Sequence, residues 1–256
     1  GGKFIIGGTM TLGDFASFNS YLTILIFPIF ILGFVSNIMA QAQASYERIS
    51  VVLSSPAPKD DGVLVAPLKG SIQIEDVTLS FGEKSALKHV SLDIKPGTKV
   101  AIIGPTAAGK TQLLSLLVGL LEPTAGEIKY DNKNIKEYQR ENLYKQVGLV
   151  FQDSIIFNIS LRENIAFNTD VTETDLQKAI ATAELTDFID TLPQGLSTVV
   201  SERGSSLSGG QKQRIMLARA LAIHPKILLL DDFTARVDTN TEKKILENIS
   251  KNYPGL

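Results

Sequence analysis

Residues 104–111 read GPTAAGKT and match the phosphate-binding pattern G-x-x-x-x-G-K-[ST]. An apolar segment at 99–103 (KVAII) precedes the match, and a segment of helix-forming residues starts at Lys110. In such a loop, backbone N–H groups surround phosphate oxygens, and the positive end of the following helix faces the same anion. A chance match in a chain of this length has a probability of about 1% at average composition. A nucleotide site is therefore favoured over a glycine-rich turn with a surface lysine.

Each residue type in this loop has an expected role. Lys110 is expected to reach the β- and γ-phosphates, and the Thr111 hydroxyl to bind magnesium. ATP and Mg²⁺ are the expected cofactors. GTP is disfavoured because 132–135 (NKNI) lacks the aspartate of a guanine-reading N-K-x-D. The predicted nucleotide contacts in the loop are Gly104, Pro105, Thr106, Ala107, Ala108, Gly109, Lys110, Thr111 and Gln112.

The pattern around the loop predicts an α/β fold with a small antiparallel part. Segments 72–75 and 77–81 alternate apolar and polar residues, which is typical of an antiparallel sheet with one face in water. Segments 99–103 and 227–230 are nearly continuous in apolar residues, which suits parallel strands covered on both faces. Asp231 then follows a strand at the phosphate crevice and is the second expected magnesium ligand. Helices are predicted at 110–119, 173–183 and 208–223.

The composition excludes some classes of site and partner. The 256 residues carry a net charge of only -2, and 20% of them are charged, so a nucleic-acid partner is not expected. The chain has no cysteine, which excludes disulfides and thiolate zinc sites. Its two histidines, His89 and His224, lie far apart and have no metal-ligand spacing.

Residues 21–40 form an uncharged apolar run of the length that a membrane helix needs. We predict a membrane helix over about 14–40; a buried soluble helix and a signal peptide are the alternatives. Arg48 and Lys59 follow the run and indicate that its far end is cytoplasmic. The predicted domains are 1–53 (end of a transmembrane domain), 54–69 (linker) and 70–256 (nucleotide-binding domain). The terminal residues suggest a fragment cut at both ends.

A second anion-binding helix start is expected at 207–211 (LSGGQ). Ser208 is a favourable N-cap, and the two glycines that follow it have no side chains to cover the backbone N–H groups. One P-loop already holds one triphosphate, so we expect a dimer in which this helix contacts the partner's nucleotide. The predicted contacts are Ser208, Gly209, Gly210 and Gln211.

GPTAAGKT, LSGGQ and ILLLDD, in this order and spacing, resemble the ATPase domain of the ABC transporter superfamily. The resemblance covers residues 70–256. Upstream, GGTMTLGDFASFNSYL with the following apolar helix and ASYERI resemble the last transmembrane helix of a half-transporter of the multidrug or lipid exporter type. The family therefore implies a P-loop ATPase domain with antiparallel and helical subdomains, preceded by one transmembrane helix.

The resemblance also implies roles and partners. Phe81 would stack on adenine, Gln152 would bind magnesium and sense the transmembrane domain, and Asp238 would reach across the dimer. Segment 201–204 (SERG) resembles the one that couples ATP to the membrane helices. The implied partners are a second half-transporter, membrane lipid and a drug- or lipid-like substrate. The ATPase domain would be cytoplasmic, below a plasma membrane. The family's switch histidine would lie beyond residue 256.

The sequence departs from the family pattern at four places. Asp232 stands where the family has a glutamate base, and it is one methylene shorter. Arg236 is unusual in the loop that reaches across the dimer, Ala107-Ala108 replaces Gly-Ser, and Gln112 replaces a hydroxyl residue. Asp232 predicts slow hydrolysis at this P-loop with binding retained, and together with the intact LSGGQ it predicts the degenerate-site half of a heterodimer. Ala107 is expected to give the loop a tighter or altered geometry without loss of binding. The alternatives are a homodimer with two slow sites, an ATP-binding regulatory subunit without turnover, and a soluble ATPase of the same superfamily.

Overall fold

The computed structural model describes residues 1–55, 62–167, 170–200 and 204–256. The chain divides into two compact units, Gly1–Lys59 and Asp60–Leu256. Leu64 and Leu68 belong to the second unit. The N–H of Leu64 donates to the carbonyl of Glu137 at 2.9 Å, and Leu68 is buried. The positions at which the predicted linker begins and ends stay a prediction.

The first unit is dominated by one long helix. After a short helix α1 (Gly2–Ile6), helix α2 runs over Leu12–Leu53. Thr11 caps α2 in a capping box with Asp14, in which each side chain accepts from the other residue's N–H. No residue of α2 is buried within the unit. Among the described residues, α2 is the one helix long and apolar enough to cross a membrane by length and composition.

The second unit combines strands and helices in an α/β arrangement. The predicted helices after the P-loop, at 173–183 and after LSGGQ are all present, and their observed bounds differ from the predicted ones by at most one residue. The elements are β1 (Ile72–Phe81), β2 (Lys84–Ile94), α3 (Lys110–Val118), β3 (Ala125–Tyr130), β4 (Lys133–Asn134), α4 (Arg140–Tyr144), β5 (Val147–Val150), α5 (Leu161–Ile165), α6 (Glu173–Thr182), α7 (Thr186–Asp190), α8 (Gly209–Ala222), β6 (Ile227–Leu230) and α9 (Thr239–Asn252).

The predicted antiparallel part is a four-stranded sheet in the order β2-β1-β3-β4. Segments 72–75 and 77–81, in which apolar and polar residues alternate, form the single strand β1. The register of β1 with β3 shifts between Glu75 and Thr78. Asp76 lies at this irregularity with a left-handed φ of 50°. The extra residue changes the phase of the alternation, so that Ile74 and Val77 both face the core. The apolar face of this sheet and helix α3 share one hydrophobic core.

The prediction of parallel strands at 99–103 and 227–230 is only partly correct. Strand β6 pairs in parallel with β5, from Val147 opposite Ile227 to Val150 opposite Leu230. Segment 99–103, however, is not a strand, and Ile103 is 94% exposed. An apolar run becomes a strand only through hydrogen bonds with a neighbour, and within the described residues this segment forms no such ladder. A cavity of about 490 Å³ is lined by residues from both 98–102 and β6.

A second hydrophobic core surrounds α8. Helices α5, α6 and α9 contribute buried residues to this core, and Val150 at the end of β5 belongs to it as well. The P-loop helix α3 packs in the first core and the LSGGQ helix α8 in the second. The two predicted anion-binding helix starts are therefore supported by different parts of the fold.

Candidate nucleotide-binding site

The second glycine of the P-loop lies in a position that only glycine fits. Gly109 has a φ of 89° and is the N-cap residue of α3. A Cβ atom here would lie 2.7 Å from Cδ2 of Leu87 and 2.8 Å from the carbonyl oxygen of Ala86, both on β2. The absence of a side chain lets the loop pass against β2 and turn into the helix. The start of α3 is thereby brought to the loop that the sequence predicts to bind phosphate.

Lys110 folds over the loop that precedes it. Its Nζ donates hydrogen bonds to the carbonyl oxygens of Gly104 at 2.8 Å and Pro105 at 3.0 Å. These contacts place the ammonium group at the mouth of the loop, where a cation would meet phosphate oxygens. Thr111, the predicted magnesium ligand, is in the first turn of α3 and half-buried.

Ala107 is strained in a way that the sequence suggested. Its φ is 65°, in the left-handed region that a residue with a Cβ enters at a cost of about 1–2 kcal/mol. Ala108, the next residue, is not among the residues with positive φ. The prediction that Ala107 alters the loop geometry relative to glycine thus has a local cause, the backbone conformation of this one residue.

The two aspartates after β6 lie on the cavity that Lys110 also lines. Asp231 is 6% exposed, and its N–H continues the ladder to Val150 at 2.9 Å. Within the described part of the chain its carboxylate accepts no hydrogen bond from the protein. A hard cation takes this kind of oxygen ligand. The residues present therefore fit a magnesium ion at the end of β6.

Asp232 differs from Asp231 in exposure and in backbone conformation. It is exposed, with a φ of 48°, a conformation that Asp and Asn adopt more readily than other residues with a Cβ. Its carbonyl oxygen accepts from the N–H of Ala235 at 3.3 Å, which forms a tight turn after β6. The predicted base is therefore carried on a turn and not on the strand itself.

The segment that contains Gln152 is bound to α8. Nε2 of Gln213 donates to the carbonyl oxygen of Gln152 at 3.0 Å, and Nη1 of Arg219 donates to that of Ile155 at 3.0 Å. Burial lowers the pKa of Arg219 to about 10, so it stays charged at neutral pH. The sequence analysis missed Gln213. The sequence indicates only that Gln213 shares a helix face with the apolar Met216 and Leu217, and it does not specify the segment that this glutamine binds. In the structure Gln213 is 1% exposed.

The LSGGQ segment begins α8 as the sequence predicts. Ser208 and Gln211 form a capping box: the N–H of Ser208 donates to Oε1 of Gln211 at 2.7 Å, and the N–H of Gln211 donates to Oγ of Ser208 at 3.2 Å. The N–H groups of Gly209 and Gly210 donate to no protein acceptor in the described residues. Two bare donors at the positive end of a 14-residue helix are an arrangement that suits an anion.

The loop after β6 packs against this helix start. A Cβ on Gly209 would lie 3.0 Å from Cδ of Arg236, and one on Gly210 would lie 2.7 Å from the carbonyl oxygen of Arg236. Two residues later, Asp238 is the N-cap of α9 and accepts from the N–H of Thr241 at 3.0 Å. This hydrogen bond lowers the pKa of the Asp238 carboxyl group.

The remaining predicted residues lie apart from this centre. Phe81 ends β1 with 55% of its surface exposed, as a stacking platform requires, but it does not line the cavity of Lys110 and Asp231. No hydrogen bond among the described residues joins 208–211 to 104–112. Three residues of the predicted coupling segment, 201–203, lie outside the described residues.

Comparison with known proteins shows the family of this chain. The family model described as "ABC transporter" matches residues 87–235, more than half of the chain. Among curated proteins, the chain is 36% identical over 260 residues to a probable multidrug resistance ABC transporter ATP-binding/permease protein, YheI, of Bacillus subtilis. That alignment covers 100% of the chain and 44% of the relative. An ATP-dependent lipid A-core flippase of Desulfotalea psychrophila is 35% identical over 98% of the chain and 45% of its own length.

A solved structure supports the same assignment. A bacterial Atm1-family ABC exporter with ATP bound matches with a TM-score of 0.74 and 32% identity, over 96% of this chain and 44% of that one. The chain thus spans less than half the length of the relatives described. The predicted fold class, an α/β ABC-type ATPase domain preceded by one long apolar helix, is confirmed. The chain belongs to the ABC transporter family.

Proposed function

We propose that this chain is one half of an ABC exporter, which binds MgATP at its P-loop, pairs with a second half-transporter and hydrolyses its own ATP slowly. The observation that carries the proposal is the pair Asp231 and Asp232 on the cavity that Lys110 lines. The first aspartate fits a magnesium ligand, while the second is a short base on an exposed turn.

Binding of MgATP rests on groups in the loop, in α3 and after β6. The backbone of 104–109 and the ammonium of Lys110 would hold the phosphates, with Thr111 and Asp231 on the magnesium ion. When bound, MgATP would supply the γ-phosphoryl group, and its magnesium ion would supply the positive charge that polarises that group. Phe81 would contribute its exposed ring to adenine. Gln152 would complete the site from the segment that α8 holds.

Slow hydrolysis rests on the reach of Asp232. A general base acts within about 2.6–3.2 Å of the proton that it takes. Aspartate is one methylene shorter than the glutamate of the family pattern. Asp232 also lies in a turn, where its backbone has a left-handed conformation. ATP would therefore remain bound at this P-loop longer than at a site with a glutamate base.

The LSGGQ helix would complete the other half's site. The bare N–H groups of Gly209 and Gly210 offer donors to an anion that comes from outside this unit. The pairing of a complete LSGGQ with a weak base favours a heterodimer with one competent and one degenerate site. The names of the relatives, a multidrug resistance protein and a lipid A-core flippase, support a drug- or lipid-like amphiphile as the cargo. We place the transporter in the plasma membrane, with the ATPase unit in the cytoplasm.

A nucleotide-retention experiment tests this proposal. The full-length chain and its partner half are purified together in lipid nanodiscs, incubated with MgATP, desalted and analysed for bound nucleotide. One sample carries Lys110→Ala and another the equivalent substitution in the partner's P-loop. We expect ATP to be retained when only this chain's P-loop is active, and ADP to form when only the partner's is active. ADP formation at equal rates in both samples would contradict the degenerate site. A stable, hydrolysing assembly of this chain alone would favour the homodimer.

A further inference from the structure

Two amide side chains bind the segment through which the chain enters the ATPase unit, residues 64–68. The N–H of Ala66 donates to Oδ1 of Asn142 at 3.3 Å, and the N–H of Leu68 donates to Oε1 of Gln146 at 2.7 Å. In return, Nε2 of Gln146 donates to the carbonyl oxygen of Ala66 at 2.9 Å and to Oδ1 of Asn142 at 3.0 Å. Asn142 and Gln146 therefore form an amide clamp on the backbone of this entry segment.

Gln146 also joins the two strands that lead to the nucleotide site. Its carbonyl oxygen accepts from the N–H of Lys226 at 2.7 Å and from the N–H of Ile227 at 3.2 Å. Ile227 begins β6, the strand that Asp231 follows, and β5 begins directly after Gln146. One residue therefore binds the entry segment with its side chain and the start of β6 with its backbone.

The amide clamp lies against a packed core. Leu68 is 4% exposed, and Val147, the residue after Gln146, is buried in the same core. Both amide side chains of the clamp are half-buried. Because closely packed interiors transmit strain, a displacement of the entry segment is passed on to Gln146 and is not absorbed by solvent.

Asp131 binds the chain just beyond the entry segment and offers a comparison. Its carboxylate accepts from the N–H of Lys69 at 2.6 Å and from the N–H of Ser71 at 3.1 Å. Among the described residues, no hydrogen bond joins Asp131 to β6. Asp131 therefore anchors the same part of the chain without the connection that Gln146 makes.

We propose that Gln146 is a positioning residue through which a displacement of the entry segment reaches β6 and hence Asp231. Helix α2 precedes this segment in the chain, so a movement of the membrane helix acts on the predicted magnesium ligand through the chain itself. The reverse also holds, because coupling between two sites is reciprocal: MgATP bound at Asp231 acts on α2 by the same route. The proposal rests on the exporter half proposed above, since it needs a membrane helix that moves when nucleotide binds.

The experiment measures the movement of α2 when nucleotide binds. The full-length transporter with its partner half in lipid nanodiscs carries one nitroxide label at Ala42→Cys in α2 and one at the matching position of the partner, with any other cysteines replaced. Pulsed electron paramagnetic resonance gives the distance between the labels without nucleotide and with magnesium and saturating AMP-PNP. Gln146→Met removes the donor and the acceptor of the clamp and keeps the side-chain volume. The control is Asp131→Asn, which loosens the neighbouring anchor at a left-handed residue that asparagine tolerates.

We expect Gln146→Met to reduce the change in distance about twofold or more, the range for substitutions along a coupling network. Asp131→Asn should keep the full change. Asn142→Asp, which keeps an acceptor for the N–H of Ala66, should also keep it, whereas Asn142→Leu should not. The two Asn142 variants decide the question if Gln146→Met does not fold.

A full change in distance in Gln146→Met would overturn the proposal. An equal loss in Asp131→Asn would overturn it as well, because any loosening of the entering chain would then have the same effect. If the labels do not move in the unsubstituted transporter, the proposed exporter function itself fails, and the role of Gln146 fails with it.

Discussion

Nε2 of Gln213 donates a 3.0 Å hydrogen bond to the backbone carbonyl of Gln152, from a side chain that is 1% exposed. The bond joins the helix that starts at LSGGQ to the segment that carries a predicted magnesium ligand. Arg219, on the same helix, binds the carbonyl of Ile155 three residues further on. Through these two contacts, a shift of α8 would displace Gln152 at the same time.

Gln213→Met tests this connection. Methionine keeps the volume and removes the donor, and it also removes an Oε1 atom that is buried without a partner in the described structure. Because one lost bond and one removed unsatisfied atom offset each other, we expect a stability change of less than about 1 kcal/mol. ATP hydrolysis by the assembled transporter should nevertheless fall several-fold, because Gln152 loses its position. The control is Gln177→Met, an exposed glutamine on α6. A large fall in melting temperature with unchanged specific activity would contradict the connection.

Two neighbouring glycines give opposite predictions. A Cβ on Gly210 meets backbone, the carbonyl oxygen of Arg236 at 2.7 Å, while a Cβ on Gly209 meets the flexible Cδ of Arg236 at 3.0 Å. We expect Gly210→Ala to destabilise the ATPase unit by about 1–3 kcal/mol, the range for an inserted atom in a packed site. Gly209→Ala should be neutral or slightly stabilising, since the arginine stem moves aside. Thermal unfolding of both variants checks this, and equal melting temperatures would refute the close approach of the 235–238 loop to α8.

Because Ala107 has a left-handed backbone conformation, we predict that its replacement by glycine stabilises the protein. Ala107→Gly relieves a φ of 65°, whereas Ala108→Gly only adds freedom to the unfolded chain. The first variant should therefore be more stable than the second by about 1 kcal/mol. The measurement is the melting temperature of each variant with and without MgATP. Equal stability of the two glycine variants would show that the loop does not hold Ala107 in this conformation.

The N-cap residue Asp238 should make the stability of the protein depend on pH. Because the Thr241 N–H hydrogen bond lowers the folded pKa of this carboxyl group below its usual value of 3.8, the cap stabilises the protein at neutral pH. That stabilisation is complete above the unfolded pKa and is lost as the pH falls through the lowered folded value. Asp238→Ala should therefore lower the melting temperature at pH 7, and the difference from the unsubstituted protein should shrink below about pH 4. A difference that is constant from pH 7 to pH 3 would contradict the charged cap.

The sequence predicted the parts of the site that local chemistry determines. The glycine at 109, the cap at Ser208 and the aspartates after β6 each follow from a residue type at a fixed place in a motif. The strand at 99–103 was predicted wrongly, because its apolar residues indicate a buried strand without specifying a neighbour that pairs with it. Gln213 and the contact of Arg236 with Gly209 and Gly210 were missed for a related reason. Both depend on which distant segment packs against α8, and a single sequence does not show such pairings.

The rate of hydrolysis at this chain's own P-loop tests the central claim most directly. Single-turnover hydrolysis is measured in the full-length transporter with the partner's P-loop lysine replaced, for the unsubstituted chain, Asp232→Glu and Asp232→Asn. Both substitutions must adopt the φ of 48°, so ATP binding is measured in each as a control for the turn. The account predicts that Asp232→Glu hydrolyses at least about tenfold faster than the unsubstituted chain and that Asp232→Asn is slower. If Asp232→Glu binds ATP normally and hydrolyses it no faster, the claim that a short base limits this site is wrong.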